Sequence, residues 1–241
     1  MKAFIITILD TETPLEYNKH ISAPVATPQN ENSIAYSNNV IKSIKETNSD
    51  LEPILYPAVT PATMWNINWT WPWHKKRICE KTKLLLKPYK TYDINKRIAA
   101  AGSHYNLWKK CVELNEPIVI CEHDAYFTRK FTPFDFEGGC LGLNDPTNAT
   151  PKAELFHDTL KNLGEGVHDA PWVMKKEIPQ GMAGNSAFVI KPWAAKEIIK
   201  AQDEIGWWPN DAITCKQLFP WIKVVYPYYS KVQNIKSTTS L

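Results

Sequence analysis

Neither glycine-rich phosphate loop is present in this 241-residue sequence. G-x-x-x-x-G-K-[ST] and G-x-G-x-x-G are both absent, which argues against a P-loop NTPase and against a Rossmann dinucleotide enzyme. A CxxC pair is also missing. The five cysteines, Cys79, Cys111, Cys121, Cys140 and Cys215, are odd in number and widely spread, so reduced thiols are expected, with Cys111 and Cys121 buried. No apolar run approaches the length of a membrane span. The opening run from Ala3 to Leu9 is too short for the core of a signal peptide and stops at Asp10, so a cytoplasmic protein without a membrane span is expected. Strong charge of either sign is lacking too. A net +3 with a pI near 8.4 suits an anionic ligand but falls short of a polybasic nucleic-acid protein.

What is there reads as globular. Hydrophobic residues make up 44% and charged residues 22%, enough chain and enough apolar surface for one α/β domain. Aromatics reach 12%, including ten tryptophans, whose flat faces and polar edges suit core packing and stacking on sugars or bases alike.

Apolar patterning alternates between strand and helix. Residues 2–9 read as a buried strand that stops at a polar turn, 10–14, followed by a loop over 15–32. Residues 33–46 carry Ile34, Val40, Ile41 and Ile44 near helical spacing, with Ser33 as an N-cap. A second strand is expected at 52–56 before the turn residues 57–61. A helix over 97–114 is interrupted by Gly102, which suggests a close approach by another backbone or a ligand. This alternation predicts a parallel sheet with covering helices.

After Pro117, Ile118, Val119, Ile120 and Cys121 form a run apolar on both faces, and it breaks into Glu122, His123 and Asp124. An unpaired carboxylate inside apolar surroundings is costly, so Glu122 and Asp124 should emerge at the strand's carboxyl end, where open α/β sheets hold ligands. Two carboxylates there suit a divalent cation that completes its shell with water and phosphate oxygens; the alternative is a solvated loop.

Further along, a short strand is expected within 138–143, a variable excursion over 144–172 with one helix at 151–163, and a Gly-bearing loop, 178–185, entering a strand at 186–190. Pro192 should open a helix that Gly206 ends, and 223–229 should be the last strand before a loose tail. Two stretches remain open. Trp65, Trp69, Trp71 and Trp73 run into His74, Lys75, Lys76 and Arg77, either as an aromatic and basic binding platform or as a loop closing over the core. Asp211, after Trp207 and Trp208, stands where it would cap a helix or serve a reaction.

Three of these segments, Lys-Ala-Phe-Ile-Ile-Thr-Ile-Leu, Ala-Gly-Ser-His-Tyr-Asn-Leu-Trp and Ile-Val-Ile-Cys-Glu-His-Asp-Ala, resemble the pattern of glycosyltransferase family 25. His123 departs from it by replacing the middle acid of the usual triplet, and the arginine-rich turn after the first strand is missing. The resemblance implies a GT-A-like three-layer α/β sandwich, with a mostly parallel Rossmann-like sheet and helices on both faces, in a single domain. Residues 1–127 would be its nucleotide-sugar-binding half and 128–241 its acceptor-binding half.

It further implies Mn²⁺ or Mg²⁺ on Glu122 and Asp124, and a nucleoside diphosphate sugar, such as a UDP-sugar, near Thr7, Ile8, Leu9, Pro57, Ala58, Val59, Ser103, His104, Glu122 and His123. Many GT-A enzymes add a late histidine as metal ligand, whereas every histidine here precedes Pro171. Asp211 would be the general base, with Trp73, Lys75, Arg77, Gly181, Asn185, Trp207 and Trp208 about the acceptor. That acceptor would be a hydroxymethylated base in phage-type DNA or, alternatively, a saccharide such as lipooligosaccharide. A non-catalytic carbohydrate- or nucleic-acid-binding module on the same fold is the reading of another class.

Overall fold

The two most apolar runs of the sequence lie side by side. In the computed structural model, which describes residues 1–9, 28–64, 66–89, 91, 93–233 and 235, β1 (Lys2–Thr7) pairs in parallel with β2 (Glu52–Pro57) and with β5 (Ile118–Glu122). Between them come α1 (Pro28–Glu46), the small hairpin of β3 (Arg77–Ile78) and β4 (Leu85–Leu86), and α2 (Ile94–Leu114). The second half contributes β6 (Ala125–Phe127), β7 (Cys140–Gly142), α3 (Pro151–Leu163), β8 (Gly166–Asp169), β9 (Ala187–Ile190), α4 (Pro192–Ile205), α5 (Asn210–Ile213), β10 (Ile222–Tyr226) and β11 (Ser230–Val232).

Both halves build one seven-stranded sheet in the order β2-β1-β5-β9-β7-β10-β8. β10 runs parallel to β7, while β9 is antiparallel to β5 and β7, and β8 is antiparallel to β10. Five strands therefore share one direction. β6 and β11 form a separate antiparallel pair beside α1.

Side-chain alternation along the strands divides the core in two. Ala3 and Ile5 of β1 and Val119 and Cys121 of β5 join Val40 and Ile44 of α1. Phe4, Ile118 and Ile120 point the other way, to Leu107, Trp108 and Cys111 of α2, Phe156 and Leu160 of α3, and Ile198 of α4. Apolar residues on both faces are what a strand covered on both sides requires. The result is the α/β three-layer sandwich, helices on both faces, that the GT-A resemblance implied. Among the described residues, no helix is long and apolar enough to cross a membrane, and all five cysteines are free and buried.

Local signals held where they were strong and failed where a tertiary contact competed. Pro151 opens α3 with Thr150 as its cap, and Gly206 ends α4. Ser33 is no N-cap: α1 begins at Pro28, and Ser33 is buried inside it with its hydroxyl turned to Ile8 and His123. Asp211 is no N-cap either, since Pro209 takes that position and Asp211 sits one residue into α5. The excursion over 144–172 contains the edge strand β8, the expected strand at 223–229 stops at Tyr226 as β10, and a further strand, β11, follows it. Gln233 is no loose tail. Its backbone N–H donates to Asp124 O at 2.6 Å, and its side-chain amide reaches the carbonyls of Tyr36, His123 and Ala125, each at 3.1 Å. The turn at 10–14, the loop expected at 15–32 as far as residue 27, Trp65 and the chain after 235 lie outside the described residues.

Gly139, at the entry to β7, is demanded by packing. A methyl group there would lie 2.4 Å from Ala194 Cβ and 2.8 Å from the Trp193 ring. Gly139→Ala should lower stability by about 1–3 kcal/mol, the usual cost of overpacking, read as a lower urea midpoint at an unchanged slope.

Candidate active site at the carboxyl edge of the sheet

The carboxyl ends of β1, β2, β5 and β7 and the entry to β9 converge on one pole, around a cavity of about 970 Å³. Of the residues singled out from sequence, Ile8, Ala58, Val59, Ser103, His104, Glu122, His123, Asp124, Asn185 and Asp211 line it. They arrive from six separate segments of the chain. Two serines hold the loops in place: Ser33 Oγ accepts from Ile8 N at 2.9 Å, and Ser103 Oγ accepts from Val59 N at 2.8 Å. Gly102 lets α2 approach that second loop, since a Cβ there would meet the side chains of Ile67 at 2.8 Å and Val59 at 3.2 Å.

The two acids are held in different ways. His104 is fully buried, stacked on Phe188 with ring centroids 5.8 Å apart, and its Nε2 lies 3.1 Å from Glu122 Oε1, where it donates. Asp124 is anchored more weakly, by the Ser186 side chain on its carboxyl. Its Oδ1 is sealed from solvent and has no hydrogen-bond partner. Burial first, and then the Glu122 charge, push its carboxyl up to about 7, with the Ser186 side chain pulling the other way. His123 places Nδ1 2.8 Å from Ser33 Oγ, and burial lowers its pKa against the raising effect of Glu122, so the ring is neutral at pH 7.

Asp211 lines the large cavity and also a second one of about 340 Å³, and it is the residue the two share. Tyr89 donates its hydroxyl to Asp211 Oδ1 at 2.6 Å, and the Arg97 guanidinium lies 4.8 Å from the Tyr89 ring centre. Burial and the Asp211 charge raise the Tyr89 phenol, which keeps it a donor. Gly181 makes room for this carboxylate's backbone: a Cβ there would meet Thr214 O at 2.4 Å and Asp211 O at 2.8 Å.

The remaining candidates are placed elsewhere. Thr7 is buried, its hydroxyl 2.7 Å from Ser37 Oγ. Leu9 and Pro57 lie outside the cavity lining, and Gly181 lines the smaller cavity. The tryptophan stretch is divided. Trp208 is 0% exposed and packs on Trp71, whose ring centre is 5.9 Å away, while Trp207 packs on Tyr105 at 4.6 Å. Trp73, Lys75 and Arg77 are exposed beyond them, Arg77 donating to Thr70 O.

Sequence reasoning missed Tyr89, Lys96, Arg97, Asn144, Asp145, Lys231 and Gln233, although all except Tyr89 line the large cavity. A signal was available only for Lys96 and Arg97, two cations in the first turn of α2, where a helix would ordinarily favour acids. The others come from turns and from a three-residue strand.

Carboxylates are the donors a hard divalent cation prefers, and Asp124 offers a sealed oxygen with no protein partner. No group of three or more His, Cys, Asp or Glu residues able to hold a metal occurs among the described residues. Two carboxylates, Asp124 and Glu122, are what the protein would offer a cation here, and the rest of its shell would have to come from substrate and water.

Residues 72–135 match the family model described as Glycosyltransferase family 25 (LPS biosynthesis protein). The matched segment carries α2, β5, Glu122, His123 and Asp124, and leaves Asp211 outside. No curated protein matches the chain. Over this segment the chain is similar to family 25, and glycosyl transfer is the activity the match supports.

Because the folded-state carboxyl of Asp124 lies above its ordinary value near 4, its ionisation opposes folding above pH 7. That opposition fades as pH falls toward 4. In metal-free buffer Asp124→Asn should therefore raise Tm at pH 8, by about 2–4 °C for each kcal/mol relieved, and leave Tm unchanged near pH 4. Thermal scans across that range check it; a loss of stability at pH 8 would contradict the assignment.

Proposed function

We propose that this protein is a nucleotide-sugar-dependent glycosyltransferase whose donor occupies the large cavity and whose acceptor is a saccharide hydroxyl. The observation that carries the reading is Asp124, a carboxylate with a sealed and unpartnered oxygen beside Glu122, inside the segment matched to family 25. An oxygen without a protein partner at the edge of a cavity is what a bound ligand would satisfy.

The division of labour follows from position. Ile8, Ala58 and Val59, fixed from behind by Ser33, Thr7 and Ser103, form the wall for the nucleoside. Lys96, Arg97 and Lys231 line the same cavity and supply positive charge toward the diphosphate. Asp124 and Glu122 would hold Mn²⁺ or Mg²⁺, which when bound neutralises charge on the departing diphosphate. Asp211 takes the proton from the attacking hydroxyl, its carboxylate aimed by Tyr89. The new bond joins that hydroxyl oxygen to the anomeric carbon, and the bond from that carbon to the diphosphate breaks, its electron pair leaving with the diphosphate. A single displacement of this kind inverts the anomeric centre.

The saccharide acceptor rests on the family description and on the fate of the tryptophan stretch. Trp208 is a core residue, which leaves a hydroxymethylated DNA base with Trp73, Lys75 and Arg77 as the exposed part of its platform. The non-catalytic module could use the orphaned Asp124 oxygen as well, and differs in giving Asp211 no reaction to serve.

A panel of nucleotide sugars, each scanned for thermal stabilisation with Mn²⁺ and with chelator, tests the donor first. One or more should raise Tm only with metal, and Asp124→Ala should abolish the shift. With the donor known, Asp211→Asn should lower kcat about 10²–10⁴-fold with donor KM within a few-fold, and the product should carry the inverted anomer by NMR. Equal turnover at 50 and 200 mM salt excludes a duplex acceptor, whose binding falls steeply over that interval.

A further inference from the structure

The smaller cavity is unlike the larger. Its walls are largely apolar, with Trp71, Tyr89, Phe156, Met174 and Met182 among them. The charged residues in its lining are Lys87, Lys152 and Asp211. Asp211 belongs to the larger cavity as well, which leaves two cations specific to the smaller one. Neither lysine takes part in an ion pair among the described residues; the Lys152 ammonium has a thioether neighbour, Met174 Sδ, at 3.0 Å. A second observation is independent of charge. Trp71 is only 7% exposed, and its indole N–H is buried without a hydrogen-bond partner in the wall of this same cavity. A buried donor left unmade costs about 1–3 kcal/mol, and an acceptor atom on a ligand would satisfy it.

We propose that this cavity is the acceptor subsite and that it takes an acidic sugar. A single ring lies against the corner made by Trp71 and Tyr89, whose ring centres are 5.7 Å apart, while a phosphate or carboxylate on that ring meets Lys87 and Lys152. The volume, about 340 Å³, lies at the small end of ligand sites and accommodates one substituted ring rather than a chain. Asp211, at the junction of the two cavities, then faces the hydroxyl to be glycosylated from one side and the donor from the other. The proposal rests on the glycosyltransferase reading above. It adds the chemical class of the acceptor, which neither the family match nor the two acids contain.

Binding of four small sugars to the native protein at pH 7.5, followed by calorimetry, tests it: glucose, glucose 6-phosphate, galactose and galacturonate. One or both acidic members should bind about tenfold more tightly than the neutral partner, and which one does so separates phosphate from carboxylate. In the double variant Lys87→Gln, Lys152→Gln that preference should disappear, and Trp71→Phe should weaken acidic and neutral sugars together. Equal binding within both pairs, absence of binding by all four, or a preference that survives the double variant would each overturn the proposal. So would a single-stranded oligonucleotide that binds more tightly than the sugar phosphate and is lost in the same variant. Metal-dependent stabilisation of the native protein by a nucleotide sugar, measured alongside, separates the two levels. If it is present and the sugar preference is not, only the acceptor subsite falls; if it is absent, the donor reading falls first.

Discussion

The site depends on one unfavourable arrangement: a carboxylate oxygen of Asp124 is sealed from water, with no partner of its own and a second carboxylate two residues away. Left to itself, such a group would swing into solvent or draw in a cation from the surrounding chain. It stays because its backbone is held on both sides. β5 enters the sheet between β1 and β9, and the Asp124 carbonyl accepts from the backbone of Gln233, whose side chain also ties down His123, Ala125 and Tyr36. The strain sits at one side chain, and the rest of the fold supplies the stability that sustains it.

Most other polar side chains at this pole are bonded, although His104 Nδ1, like Asp124 Oδ1, is buried without a partner. His104 uses its Nε2 on Glu122, and the stack on Phe188 fixes the ring. Ser33, Ser37 and Ser103, three buried hydroxyls on helices, are turned toward strand ends and loops. Buried serines are tolerated because each bonds to backbone or to another side chain. They convert the carboxyl edge of the sheet from loose loops into a wall with fixed spacing, which a ligand needs if its binding is not to be spent on ordering the protein.

What could be read in the sequence followed from short-range physics. The run from Ile118 to Cys121 had to be a doubly covered strand, because burial of apolar faces leaves few alternatives, and the acids do follow at its carboxyl end; the exclusion of unpaired charge held for Glu122 and not for Asp124, one oxygen of which is sealed. Pro151 and Pro192 fixed two helix starts for equally local reasons. Ser33 shows where this stops: its side chain suited a cap, yet Ile8 and His123, far away in sequence, offered better bonding, so the helix extends past it. The tryptophans stayed open for a related reason: a Trp-rich run is compatible with a binding face or with a core, and the structure divides it, Trp71 and Trp208 buried and Trp73 exposed. Tyr89, Lys231 and Gln233 carried no signal at all, being placed by pairings such as β6 with β11 that three-residue strands do not announce.

A binding module needs one cavity, and a hydrolase needs a cavity open to water; here a larger and a smaller cavity meet at a carboxylate. Transfer from one carbon to a hydroxyl other than water is favoured when donor and acceptor are held on either side of the group that moves the proton. The Tyr89 hydroxyl restricts Asp211 further. With Oδ1 accepting from Tyr89, the proposed proton transfer would end on Oδ2, and the carboxylate cannot rotate away without losing a charge-assisted bond. Gly181 completes the arrangement, because any larger residue would push against the carbonyls of Asp211 and Thr214 and displace α5. The order of construction is therefore from packing to chemistry. A residue without a side chain lets a four-residue helix sit close, the helix sets a carboxylate at the junction of two cavities, and that junction is the ground on which transfer is proposed rather than binding.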